Sequence, residues 1–145
     1  MKIALGTDQK SVLYDEVVKY LSKNEIEYED FHNDNNNWCD VGIKVGESIS
    51  KQFCNEGILL CSTGTGVAIA ANKVKDIRAV SCCNSKMTKM AKYWNHANVL
   101  CIGIQFVNIS DLNEILDSWF STPYGNGEAG YAIDTLHDYE LSIRG

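Results

Sequence analysis

Gly57-Ile58-Leu59-Leu60-Cys61-Ser62-Thr63-Gly64-Thr65-Gly66-Val67-Ala68-Ile69-Ala70-Ala71-Asn72-Lys73 is the stretch that decides the fold. A short, wholly apolar run ends at Cys61, small residues follow, and a helix-forming run begins at Val67. A strand with no polar alternate positions is buried on both faces, as in a parallel sheet covered by helices on both sides. Cys61-Ser62-Thr63-Gly64-Thr65-Gly66 is then a strand-to-helix turn. Its small side chains let backbone N–H groups approach a ligand, and the helix start favours negative charge there. A thiol at such a position is expected to favour the reactive thiolate. The spacing alone equally fits a tight turn whose cysteine fills the strand end.

The same alternation repeats outward from that turn. Residues 2–6, 26–31, 57–61, 79–83 and 99–104 read as strands, and 15–21, 42–53, 67–74, 87–94 and 112–120 as helices. Val17, Val18 and Leu21 mark an inner helix face, as do Val45, Ile49 and Phe53, and Leu112, Ile115, Leu116 and Trp119. The polar run 32–38 reads as an exposed loop. Strands alternating with helices predict an α/β fold: a three-layer, doubly wound (Rossmann-like), five-stranded parallel sheet with right-handed crossovers. The chain is read as one domain over 1–145, in which 125–145 is a C-terminal helical tail. Ile133, Leu136 and Leu141 give the tail an apolar side expected to pack on a partner subunit.

Composition narrows the function classes. The chain has 145 residues, 45% hydrophobic and 22% charged, with a net charge of −6 and only two arginines, Arg78 and Arg144. A basic face for nucleic acid is missing. The apolar start at Ile3 is too short for a signal or a membrane span, so a cytoplasmic protein is expected. The six cysteines include no C-x-x-C pair. Cys54, Cys61, Cys82, Cys83 and Cys101 fall in core-like runs, so reduced thiols are expected rather than a disulfide framework. No Cys/His cluster has metal-ligand spacing, and no metal or other cofactor is expected.

In an open parallel sheet, ligands bind beyond the carboxyl ends of the strands. The Cys61 turn and Gly6-Thr7-Asp8 are two such places, and the region of Asn95 and His96, just before the last strand, is a third candidate. Asp8 also fits an N-cap for a helix starting at Lys10. Asn95 also fits a helix C-cap in the left-handed conformation. His32 and His137 stand alone and read as surface residues.

Together these residues resemble the type B ribose-5-phosphate isomerases and the galactose-6-phosphate isomerase subunits. Met1 to Asp8 resembles the family's M-K-I-A-x-G-x-D-H opening, and Gly57 to Lys73 is similar to G-I-L-I-C-G-T-G-x-G-x-S-I-A-A-N-K. Ile77-Arg78-Ala79 also matches, and Asn95 to Gly103 resembles N-D-A-N-V-L-x-x-G. The resemblance implies a metal-independent aldose–ketose isomerase of a pentose or hexose phosphate, working through a cis-enediolate. It implies Cys61 as base, an anion cradle from the amides of Ser62, Thr63, Gly64, Thr65 and Gly66, Thr63 in contact with the sugar, and Asp8, Gln9 and Asn95 as substrate-binding residues. A homodimer or tetramer is expected.

The departures are as specific. Trp94 stands where the family has its ring-opening histidine, Gln9 follows Asp8 in place of histidine, and Asp40-Val41-Gly42 replaces D-Y-P. The arginine-bearing tail motif falls on Gly127-Glu128-Ala129-Gly130-Tyr131. Three roles remain open. The chain is a self-sufficient isomerase in which His96 replaces the lost histidine and Lys10 helps bind phosphate. Alternatively, it is the cysteine-bearing subunit of a hetero-oligomer with a homologous chain. In the third, it is a non-catalytic sugar-phosphate binding protein.

Overall fold

The structure is a computed structural model, and it describes residues 1–35 and 37–144. Residue 36 of the expected loop and residue 145 of the expected tail lie outside the described residues. Five runs form strands: β1 Lys2–Thr7, β2 Glu27–Asp30, β3 Glu56–Cys61, β4 Ala79–Ser81 and β5 Val99–Gly103. Six helices follow them: α1 Val12–Lys23, α2 Trp38–Ser50, α3 Thr65–Asn72, α4 Ser85–Asn95, α5 Ile109–Ser121 and α6 Glu128–Arg144. All strand pairs are parallel, in the order β2-β1-β3-β5-β4. The expected doubly wound sheet is therefore the observed one.

Period-two alternation sorts the core into two layers. Ile3, Leu5, Ile58, Leu60, Leu100 and Ile102 point to one face, where α1, α4 and α5 cover them. Ala4, Leu59, Cys61, Val99 and Cys101 point to the other, under α2 and α3. Each large side chain so buried contributes about 1.5–3 kcal/mol. Cys61 thus faces the α2/α3 layer at the carboxyl end of the central strand.

Several boundaries differ from the sequence reading, for local reasons. Helix α1 is capped by Ser11, whose side chain accepts from the Tyr14 N–H, so Asp8 is not the cap. Helix α2 starts a turn early because Asn37 and Asp40 form a capping box, and it ends at Ser50. The chain then turns through Gln52 in the left-handed region, which leaves Phe53 exposed. Strand β4 stops at Ser81, and Cys83 is exposed rather than core. All six cysteines are free. His96, not Asn95, is the left-handed residue that ends α4. The tail is helical as expected, but it buries only Ala129 and leaves Tyr131, Leu136, Tyr139, Leu141 and Ile143 exposed. Among the described residues no helix is long and apolar enough to cross a membrane.

A buried ion pair joins the amino end of the sheet to the α4/α5 layer. Lys92 Nζ lies 2.8 Å from Glu56 Oε2, donates to the Trp119 carbonyl at 3.1 Å, and sits 4.1 Å from the Trp119 ring centroid. Trp119 Nε1 and the Tyr124 hydroxyl both donate to Glu56 as well. Burial, partly offset by the Glu56 charge, holds the Lys92 ammonium below its ordinary pKa. Removing one partner strands a buried charge, whereas replacing both does not. Lys92→Met is expected to cost about 3–5 kcal/mol. Lys92→Met with Glu56→Gln should recover most of it, as measured by urea unfolding.

Candidate active site

The strand order reverses direction between β1 and β3, and an open parallel sheet leaves a crevice there. Thr7 pairs with Leu60 in register, so Asp8 leaves β1 directly beside Cys61. The sequence reading placed these two groups at a site separately; the sheet brings them together.

The Cys61 turn is shaped by a backbone contact. Gly64 is left-handed at φ 76° and caps α3 with no side-chain hydrogen bond. A Cβ on Gly103, at the end of β5, would lie 2.5 Å from the Thr63 carbonyl oxygen. Only glycine fits there, and β5 thereby runs against the turn. Ile104 N–H donates to the Cys61 carbonyl at 2.9 Å and Gln105 N–H to that of Ser62 at 3.0 Å. Ser81 Oγ donates to the Gly64 carbonyl at 2.6 Å. Within the turn, Thr65 N–H donates to Thr63 Oγ1 at 3.3 Å. Gly64 N–H donates to Cys61 Sγ at 3.2 Å, and such a bond is stronger to a thiolate than to a thiol. Thr63 and Thr65 hydroxyls pair at 2.6 Å on the exposed rim. The Trp38 ring closes one side, 3.0 Å from where a Cβ on Gly66 would stand.

Asp8 borders the same end of the sheet from β1. Its Oδ1 is buried with no hydrogen-bond partner, one of two such side-chain atoms among the described residues, the other being Ser48 Oγ. An unpartnered buried acceptor costs about 1–3 kcal/mol, more when charged. A ligand hydroxyl would relieve that cost. Gln9 is exposed beside it, its N–H and carbonyl tied to Thr7 Oγ1.

Asn95 and His96 do not join this group. Helix α4 starts near the carboxyl end of β4 and returns to the amino end of β5, about 16 Å away for its 11 residues. The His96 ring stacks on Tyr124 with centroids 4.8 Å apart, and its Nε2 lies 2.7 Å from the Gly125 carbonyl. Lys10 is also engaged, 3.7 Å from Asp30 Oδ2 and 4.0 Å from the Tyr14 ring centroid. His32, read as a surface residue, is instead packed at the site end. Its ring Nδ1 lies 2.7 Å from the Thr7 carbonyl. The signal that could have found it is its place just past the carboxyl end of β2. The one His/Asp/Glu group among the described residues that could hold a metal, Asp76, His137 and Glu140, lies with the tail at the amino end of the sheet. There Glu140 already accepts from Asp76 N–H and pairs with Arg144.

A family model described as Ribose/Galactose Isomerase matches residues 3–136. The chain belongs to the ribose/galactose isomerase family. By that membership it is a sugar-phosphate isomerase, an enzyme that interconverts an aldose and a ketose. The chain is similar to the solved ribose-5-phosphate isomerase B of Clostridium thermocellum, with 34% identity, 99% of each chain covered and a TM-score of 0.92. It is also similar to the Mycoplasma genitalium ribose-5-phosphate isomerase B solved with bound ribulose-5-phosphate, at 28% identity over 97% of this chain and 96% of that one, TM-score 0.89. A D-erythrulose-4-phosphate isomerase of Pectobacterium atrosepticum is 28% identical over 97% of this chain and 95% of its own.

The Gly103 contact yields a direct test. Gly103→Ala must push its methyl into the Thr63 carbonyl, so the cradle has to move. A loss of about 1–3 kcal/mol is expected, the usual range for overpacking, and urea unfolding would measure it.

Proposed function

We propose that this chain isomerises a sugar phosphate without a metal, through a cis-enediolate, with Cys61 as the base. The observation that most supports this is the placement of Cys61 at the switch-point crevice, where its Sγ accepts from the Gly64 N–H at the start of α3 and where the β1/β3 register brings Asp8, with its unpartnered oxygen, alongside. The thiolate takes the proton from the carbon next to the carbonyl and becomes a thiol. The electron pair left behind forms the enediolate, whose negative oxygens lie toward the amides of Ser62 to Gly66. One proton passes between the two oxygens beside the Thr63 hydroxyl. The thiol then returns its proton to the neighbouring carbon, and the thiolate is restored.

Asp8 accepts a hydrogen bond from a sugar hydroxyl, and Gln9 borders the far end of the sugar. Asn95 reaches a sugar only from a second copy, because within one chain α4 carries it to the other end of the sheet. A homodimer or tetramer with its sites between subunits follows, and the exposed apolar side of α6 gives it a surface. His96 is left out of the reacting set, since its ring is fixed against Tyr124 and Gly125. Trp94, exposed at the end of α4, favours a second reading, in which a homologous chain brings the missing histidine to a mixed assembly.

The remaining thiols are poor candidates for the base. Burial pushes Cys82 up to about 11 and Cys101 well above the ordinary thiol value. Cys61→Ser is expected to abolish turnover across a panel of four- to six-carbon sugar phosphates while leaving the melting temperature nearly unchanged. Equal loss in a folded Cys82→Ser or Cys101→Ser protein would refute the assignment.

Phosphate binding should be weak. The family's two tail arginines are absent, and each lost charge-assisted contact removes about 1.5–3 kcal/mol. Affinity then falls by roughly two to four powers of ten. The isolated chain is expected to act on ribose 5-phosphate with kcat/KM below about 10⁴ M⁻¹s⁻¹. Steady-state assay, alone and with a homologous subunit carrying the missing groups, checks this.

A further inference from the structure

We propose that His32 is the positioning residue of this site: it holds the Thr7 carbonyl and so fixes the turn that aims Asp8 into the crevice. Along the β1/β2 ladder, the Phe31 N–H donates to the Leu5 carbonyl at 2.8 Å. The next rung would need an N–H from residue 33 to reach Thr7, but β2 ends at Asp30. The imidazole takes that place, with Nδ1 at 2.7 Å from the Thr7 oxygen. A carbonyl only accepts, so Nδ1 carries the proton.

The ring is held for this task. The His32 side chain is 7% exposed, and its Nε2 lies 3.0 Å from Asp34 Oδ1. Its backbone N–H donates to Asp30 Oδ1 at 2.8 Å, and Asp30 Oδ2 is engaged by the Tyr14 hydroxyl and Lys10. Both ring nitrogens thus have acceptor partners within the chain. Its effect passes through Thr7. The Thr7 hydroxyl donates to the Gln9 carbonyl at 2.6 Å and accepts from the Gln9 N–H at 3.4 Å. Asp8, the middle residue of that closed turn, is left with its buried, unpartnered Oδ1. The ladder can therefore end early, freeing the chain to cross to α2, while the exit of β1 stays fixed.

The role in catalysis rests on the isomerase reading, so the test has two readouts. His32→Asn puts an amide nitrogen close to the place of Nδ1 and should restore the bond. His32→Leu removes it, and His32→Gln, whose amide falls nearer Nε2, replaces the leucine variant in every comparison if that one does not fold. Amide hydrogen exchange of the whole chain should quicken at Asp8 and Gln9 in His32→Leu, remain as wild type in His32→Asn, and be unchanged in both at Leu59 and Leu100. This readout needs no turnover, so it stands even if Cys61→Ser shows that the isomerase reading fails. Unchanged exchange in His32→Leu overturns the proposal. On whichever sugar phosphate of the panel the wild type turns over, His32→Leu should raise KM tenfold or more, with His32→Asn within threefold. Combined with Asp8→Asn, His32→Leu should add nothing further, since both act through one carboxylate. An unchanged KM, or losses that multiply in the double variant, overturns it as well.

Discussion

The contact of two backbones, Thr63 over Gly103, is the constraint on which the rest of this site depends. Side chains ordinarily keep neighbouring segments several ångströms apart. Here a β-carbon has no room at Gly103, and another at Gly64 would meet the Gly103 nitrogen at 2.8 Å. The exit of β5 therefore lies flat against the Cys61 turn and takes up two of its carbonyls. Backbone dipoles are fixed as a consequence, with the carbonyls of Cys61 and Ser62 held by the exit of β5 and that of Gly64 by Ser81. A field built from backbone needs no reorganisation when charge develops on a ligand, and it survives substitution of most side chains around it.

The opposite end of the sheet is built on the other principle, with side chains packed and paired. Glu56 opens β3 and receives Lys92, Trp119 and Tyr124, so strand, α4 and the segment after α5 meet at one carboxylate. Tyr124 stacks on His96, whose carbonyl accepts from Arg78 Nε at 2.7 Å. The strand that ends at Cys61 thus begins in a buried ion pair. Holding both ends of β3 leaves Cys61 little freedom to drift. The same arrangement places the tip of α4, with Trp94 and Asn95, at the far side of the molecule and exposed. A site that uses that tip must take it from another subunit.

Fold class was legible in the sequence because it rests on periodicity, and the apolar runs of β1, β3 and β5 carry a strong signal. The strand-to-helix turn at Cys61 was legible too, from Gly64 and Gly66 after a strand-ending cysteine, although that spacing alone did not separate a ligand site from a plain tight turn. What was not legible depends on contacts between distant segments or on competition between adjacent caps. Asn37 lies in a run of asparagines, and nothing local marks it as the one that shares a capping box with Asp40. Ser11 wins the cap of α1 over Asp8, which left Asp8 available. His96 rather than Asn95 takes the left-handed position, and it is steadied there by Tyr124, which is 28 residues on in the numbering. His32 looked solitary because its partner is a main-chain oxygen, which no side-chain motif records.

The departures from the family pattern alter where the site spends its electrostatics. The tail position resembling an arginine is Glu128, in the first turn of α6. An acidic residue there stabilises the helix by about 0.3–1 kcal/mol through the helix dipole. At that position a group able to grip a dianion has given way to one that supports the tail. The small residues of the Cys61 turn, by contrast, are kept. A cationic clamp binds the phosphate equally in substrate and transition state, so its loss weakens ground-state affinity. Amides aimed at the oxygens of an enediolate act where charge appears during reaction. On the mechanism proposed above, a chain that keeps the second and loses the first loses uniform binding while keeping the groups that act on the chemical step. On that same proposal the site suits a sugar held by hydroxyl contacts, or one whose phosphate another subunit holds.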